Sequence, residues 1–137
     1  MAKEKRVVLA VFETVSFPDF GMKNVKAKID TGAYTGALHC TKIHESITNG
    51  VKELHFSPFD QPKTQVKTTD FKQRTVTSSN GQEEKRYFIT TQIVIKGQMY
   101  PITLSLANRS AMKWSVLVGR KFLRANNFLV DVNASNR

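Results

Sequence analysis

The segment 29-IDTGA-33 holds the best-placed acid in the chain: an apolar residue ending a strand, then Asp30, a hydroxyl residue, a glycine and a small residue. A carboxylate in such a turn is open to general acid–base work, which a pair of carboxyl groups can share. Two carboxyl groups about 3 Å apart cannot both ionise, so one keeps its proton. Of such a pair, the ionised partner can take a proton and the protonated one can donate a hydrogen bond. This chain has one such turn. Asp19 and Asp60 fall in loops, Asp70 in a polar stretch and Asp131 in the last strand, and none is followed by Thr/Ser-Gly. The competing reading of Asp30 is structural, an Asx side chain that caps a bend.

A second group of reactive side chains is His39, Cys40, His44 and His55. Their spacing fits no standard zinc site. On a strand His39 and Cys40 point to opposite faces. The expectation is a small buried thiol with surface imidazoles and no metal. No Gly-x-x-x-x-Gly-Lys-Ser/Thr loop is present to cradle a nucleotide phosphate, and no His-Glu-x-x-His to hold zinc on a helix. No cofactor is expected.

The elements that must position these residues read as strands. Val, Thr and Ile together supply 33 of 137 residues, a β-branched enrichment. Residues 6–13 read as one buried strand and 16–21 as a turn around Pro18 and Gly21. In 25-VKAKID-30, Val25, Ala27 and Ile29 share one face and Lys26 and Lys28 the other, which is period two. A strand is expected over 37–43 and another over 51–56, joined at Asn49-Gly50. Residues 57–63 read as loop and 64–77 as polar, strand-like sequence. Asn80-Gly81 marks a second hairpin, leading into 87–95; Gly97 turns the chain into 99–106, where Pro101 points to an edge position or a strand start. A short buried strand over 115–119, one or two helical turns over 120–126 and a strand over 128–132 complete the chain. Trp114 and Met112 are expected in the core. Such a series of short strands with frequent turns reads as a small β-barrel or sandwich in one domain, residues 1–137.

Charge narrows the partners. Lys plus Arg is 21 and Asp plus Glu 11, a formal excess of +10. That field attracts polyanions or acidic peptides. The basic residues are scattered, with no run of five like charges and no aromatic-rich RNA-recognition strand, so nucleic acid is a weak candidate. The longest apolar run, Val7 to Phe12, is six residues, against about twenty for a membrane span. The opening MAKEKRVVLAVFE lacks the cleavage site of a signal peptide. One cysteine rules out an internal disulfide. A cytoplasmic protein away from membranes is expected.

In 29-IDTGA-33 the sequence resembles the aspartic peptidases, whose active-site turn reads Asp-Thr-Gly-Ala. The segment 117-LVGRKFL-123 resembles the apolar-apolar-Gly-Arg strand that runs beside that turn in retroviral-type enzymes and then enters a short helix. The Asn80-Gly81 hairpin lies between the two, where those enzymes carry a flap over the substrate. From about Val11 to Asn133 the chain is similar to a bacterial, glutamate-ligase-associated family (RimK/LysX type) described as ATP-dependent zinc proteases. That likeness is carried by 28-KIDTGAYTGALH-39, 78-SSNGQEE-84, 109-RSAMKWSVLVGRKFL-123 and 128-FLVDV-132.

The resemblance implies an all-β, retropepsin-like closed barrel with one short helix. It implies an aspartic-type endopeptidase in which Asp30, Thr31 and Gly32 form the catalytic turn. Thr31 would hydrogen-bond across to hold it, and Gly32 would let the backbone approach the dyad. With one such turn per chain, the second carboxylate must come from another copy, so a homodimer is implied. Asn80 and Gly81 would tip the flap, and Gly119 would let its strand pack beneath the turn. Retroviral enzymes place an Asp directly after the Asp-Thr-Gly-Ala turn, paired with the Arg of the later strand. Here that position is Tyr34, so Arg120 needs another partner, and Glu13 is the expected one. Residues 41–75 are longer than a minimal retroviral subunit needs. Acidic or glutamate-modified protein tails are the substrate suggested by the ligase association. A catalytically silent barrel that docks on a polyanionic or ribosomal partner is the alternative, and a zinc enzyme true to the family's description is a third.

Overall fold

The computed structural model describes residues 6–61, 63–77, 80–108 and 114–134. The first strand pair departs from expectation. Instead of one strand over 6–13, the chain forms β1 (Val8–Ala10), bends at Val11, and continues as β2 (Phe12–Phe17). The cause is Glu13, whose buried carboxylate accepts the Ala10 N–H at 2.7 Å and folds the chain back on itself. β1 therefore leaves the barrel and runs parallel to β11 (Leu129–Asp131). Phe17 is fully buried, so Ser16 and Phe17 remain in β2 rather than in the turn. The turn itself is a 3-10 segment, Pro18–Phe20, ended by Gly21 at φ 67°.

β3 (Met22–Ile29) returns antiparallel to β2. Ala27 and Ile29 point into the core, as their period-two placement requires. Then follow β4 (Gly36–Thr48), β5 (Val51–Pro58), β6 (Val66–Thr68), β7 (Phe71–Thr77), β8 (Glu83–Ile95), β9 (Gln98–Ala107), β10 (Val116–Val118) and the helix α1 (Arg120–Ala125). Six strands form a ring in the order β10-β3-β2-β8-β9-β4, and β4 closes it by pairing with β10 through Val116 and Leu38. This is the closed all-β barrel with one short helix. Closure removes the free sheet edges that a flat sheet would expose. Its interior is filled by Val15, Leu38, Ile93, Ile95, Leu104 and Val118, all at or below 1% exposure.

Outside the ring, the far half of β4 pairs with β5 and β5 with β6, forming an arm that accounts for the extra length over 41–75. Ser57 and Pro58 belong to β5, opposite Thr41 and Cys40, so the loop expected from residue 57 starts later. Phe56 and Ser57 are buried, which keeps the chain extended until Phe59 takes a positive φ of 58°. Pro101 sits inside β9 opposite Gln92; β9 acquires its second neighbour, β4, only from Leu104 onward, so Pro101 occupies edge strand. Trp114 is half-buried, with its ring 4.4 Å from that of Phe12 and the Lys26 ammonium 5.3 Å away. Met112 lies outside the described residues. Among the described residues no helix is long and apolar enough to cross a membrane.

Candidate active site

Asp30 follows the last residue of β3, and two neighbours fix that end. Ile29 donates its N–H to the Val11 carbonyl at 2.7 Å, and Asp30 donates its own to Val118 of β10 at 2.8 Å. The carboxylate then turns back on its own loop: Oδ1 accepts the Gly32 N–H at 3.0 Å, and the Asp30 carbonyl accepts the Ala33 N–H at 3.2 Å. This is an Asx turn with one carboxylate oxygen used locally. Asp30 is half-buried, while Thr31 and Gly32 are exposed.

The far side of the loop is locked to the β10–α1 corner. Arg120 donates its backbone N–H to Ala33 at 2.7 Å and Lys121 donates to Tyr34 at 3.0 Å. These bonds require very close backbone crossing at two glycines. A Cβ on Gly119 would stand 2.6 Å from the Tyr34 oxygen and 2.8 Å from the Gly36 nitrogen. A Cβ on Gly36 would overlap the Leu117 carbonyl oxygen. Gly119 thus packs close against the backbone of residues 34–36. Gly36 is its unforeseen counterpart, whose only sequence signal was a second glycine four residues past the first.

Arg120 does not find Glu13. Its guanidinium donates to the Thr31 and Gly32 carbonyls at 3.0 and 3.4 Å and lies 5.6 Å from the Tyr34 ring centroid. Tyr34 therefore supplies an aromatic face where the retroviral pattern has an acid. Glu13, 2% exposed, accepts the Ala10 N–H and lies 3.5 Å from the Lys96 ammonium. Its burial at the β1–β2 bend separates it from the site, and its support is indirect: it shapes the corner whose Val11 carbonyl holds Ile29. Replacing Arg120 by Ala is expected to cost about 1–3 kcal/mol, since two carbonyls of the turn lose a charged donor. Arg120→Lys should recover only part of it, because an ammonium cannot bridge both carbonyls and lie flat on the ring. Chemical denaturation of the three proteins measures this.

The hairpin of β7 and β8 is paired from Phe71–Ile89 to Thr77–Glu83. At its tip Asn80 Oδ1 accepts the Gln82 N–H at 3.3 Å, and Gly81 has φ 83°, as a tight turn demands. Ser78 and Ser79 of the hairpin motif, and 109–113 of the later one, lie outside the described residues. The root of this hairpin faces the residues just after the turn: a cavity of about 310 Å³ is lined by Tyr34 and Thr35 on one side, Phe71, Lys72 and Arg74 of β7 on another, and Lys121 of α1.

The histidines differ from expectation. His39 is 1% exposed, with Nε2 2.7 Å from Asp60, and His55 is buried too; only His44 is exposed. The reason is the double covering of β4. Cys40 and His39 point to opposite faces, yet the His39 side is covered where Phe59 donates its N–H to the His39 carbonyl at 2.8 Å. The His44 and His55 rings stack at 4.7 Å, and Ser46 bonds His55 at 2.7 Å. Burial pushes the Cys40 thiol far above its ordinary range, so it is no nucleophile. Among the described residues no three His, Cys, Asp or Glu side chains are grouped to hold a metal ion.

Comparison with known proteins gives the family and the fold. The family model described as RimB-like, retropepsin-like aspartic endopeptidase RimB, matches residues 8–136. The chain is 30% identical over 137 residues to a probable alpha-L-glutamate ligase of Shewanella pealeana, covering 96% of this chain and 30% of that protein. It is likewise 30% identical over 138 residues to one of Parasynechococcus marenigrum, covering 97% and 29%. The chain thus spans about 30% of the length of the curated relatives it matches. A crystal structure of a Legionella pneumophila protein of unknown function superposes with a TM-score of 0.71 at 22% identity, covering 96% of this chain and 97% of that one.

Proposed function

The chain belongs to the RimB-like family of retropepsin-like aspartic endopeptidases, and from that premise we propose that two copies assemble into a cytoplasmic peptidase whose catalytic pair is Asp30 from each. The observation that carries this reading is the Asp30 turn: its carboxylate is oriented by the Gly32 N–H and its loop is clamped by Arg120, while Thr31 and Gly32 stay uncovered. In the pair, one Asp30 is ionised and takes the proton of water; its partner keeps a proton and hydrogen-bonds the carbonyl under attack. Thr31 reaches across the axis to brace the opposite turn.

A surface for the second copy lies beside the turn. A groove joins Thr31 and Arg120 to Leu129 and Val130 of β11, and the β1–β11 pair exposes Val8 and Leu129 at 47% and 44%, with Val132 just past β11 at 74%. Apolar side chains so exposed gain from burial against a symmetry mate. The substrate we infer is an acidic protein tail. The formal charge of +10 favours it, and so does the name of the relatives, probable alpha-L-glutamate ligases, which suggests glutamate-bearing chains.

The test is cleavage of acidic peptides across a range of protein concentrations. Below the dimer dissociation constant the rate should rise with the square of protein concentration and become linear above it. A rate linear throughout, in a protein that sediments as a monomer with substrate present, would overturn the paired site. Salt-sensitive binding of polyanions without any cleavage would favour the silent docking module, which the same charge supports.

A further inference from the structure

Period two on β7 places Lys72 and Arg74 on one face, and both line the cavity whose other wall is Tyr34 and Thr35, the residues that follow the Asp30 turn. Their neighbour Gln73 lies in register with Tyr87, whose hydroxyl donates to Glu45 of the arm, so the opposite face of the hairpin is engaged elsewhere. Across the cavity Lys121 brings a third cation, held near the turn by its N–H bond to Tyr34. Arg74 is steadied on the Phe88 ring, 5.9 Å from its centroid. Against these three cations the lining holds one acid, Asp70. Among the described residues none of the three cations forms an ion pair with an acid.

Like charges gathered around a concave space repel one another unless an anion enters. Here the space is about 310 Å³ with apolar walls from Phe71, Phe88 and Tyr34, which suits a side chain carrying a carboxylate on a short aliphatic stem. We propose that this groove is a carboxylate-reading subsite: Lys72, Arg74 and Lys121 receive an acidic side chain of the substrate a few residues from the bond to be cut. The position in the cleavage sequence rests on the peptidase reading of Asp30. Two-fold symmetry then places an equal groove on the other side of the dyad, so acidic residues are preferred on both sides of the scissile bond. The specificity is local to these side chains and is distinct from the general attraction of a +10 protein.

Binding and cleavage separate the two ideas. In an Asp30→Asn background, which keeps peptide intact, a fluorescent glutamate-rich peptide and its glutamine counterpart are titrated. The triple change Lys72→Ala, Arg74→Ala, Lys121→Ala should weaken the glutamate peptide by roughly tenfold or more and the glutamine peptide by less than about twofold. Lys52→Ala on the arm, which removes the same kind of charge elsewhere, should change neither. All three subsite residues are exposed or groove-lining, and unchanged thermal melting confirms the fold; Lys72→Gln alone gives a milder second variant with a smaller loss in the same direction. Equal weakening by Lys52→Ala, or no effect of the triple change, overturns the subsite. If the otherwise native enzyme cleaves through Asp30 but keeps its glutamate-over-glutamine preference after the triple change, the subsite falls and the peptidase stands. If the binding pattern holds and no cleavage is seen, the subsite stands and the peptidase falls.

Discussion

Asp30→Asn is expected to leave the barrel folded and to lower kcat/KM for an acidic peptide by roughly a thousandfold or more. The fold survives because Asn keeps an Oδ1 acceptor for the Gly32 N–H, the one side-chain bond of Asp30 among the described residues. The backbone bonds of the turn, to Val118 and from Ala33, do not involve the side chain at all. What is lost is the proton. A carboxamide cannot take one from water, nor give one to a leaving group at neutral pH. The second half of the test is mixing. Mixed dimers, one native subunit with one Asp30→Asn subunit, retain a single catalytic carboxyl group and should be as inactive as dimers in which both subunits carry the change. At constant total protein, replacing native by Asp30→Asn protein should therefore poison activity by exchange of subunits, with the residual activity following the square of the native fraction. Equal cleavage by native and Asp30→Asn protein would remove Asp30 from the mechanism. Activity falling only in proportion to the native fraction would mean each copy works alone.

The same residues show what a sequence makes legible. The turn could be read from 25-VKAKID-30 and the glycine after it because alternation and turn chemistry are local. Asn49-Gly50 and Asn80-Gly81 mark hairpins for the same reason, and both glycines take positive φ. Gly119 came from a motif, and the geometry supplies its reason. The misses are all non-local. Glu13 breaks the first strand because its carboxylate is buried against Ala10, which no periodicity reveals. Arg120 turns from a carboxylate to backbone carbonyls and a ring, because what stands opposite it is decided by the path of another segment. His39 is buried because the loop after β5 folds over it. The cations of the groove looked scattered along the chain, 47 residues apart between Arg74 and Lys121, and only the barrel brings them together.

Gly119→Ala and Gly36→Ala carry the largest expected effects on stability, roughly 3 kcal/mol or more each, at the upper end of overpacking costs. In both cases the added methyl meets backbone, not the yielding end of a side chain: the Tyr34 oxygen at 2.6 Å and Thr35 carbon at 2.8 Å for Gly119, the Leu117 oxygen for Gly36. Backbone there cannot retreat without breaking the pairing that closes the barrel between β4 and β10. Gly81→Ala is the contrast. Its Cβ would meet nothing within 4 Å, and the substitution suffers only the strain of φ +83°, about 1 kcal/mol. Urea denaturation of the three variants tests the ranking, and a Gly36→Ala loss no larger than that of Gly81→Ala would mean the strands do not cross as closely as described. Activity should be more sensitive still. The Arg120 and Lys121 N–H groups reach the Ala33 and Tyr34 carbonyls only across this crossing. Any Gly119→Ala protein that does fold must lift the turn away from α1, and a displacement of about 1 Å at a reacting group is enough to cost on the order of a hundredfold in rate. Folded but inactive Gly119→Ala, with Asp30 intact, would show that the glycine crossing serves the position of the carboxylate as much as the closure of the barrel.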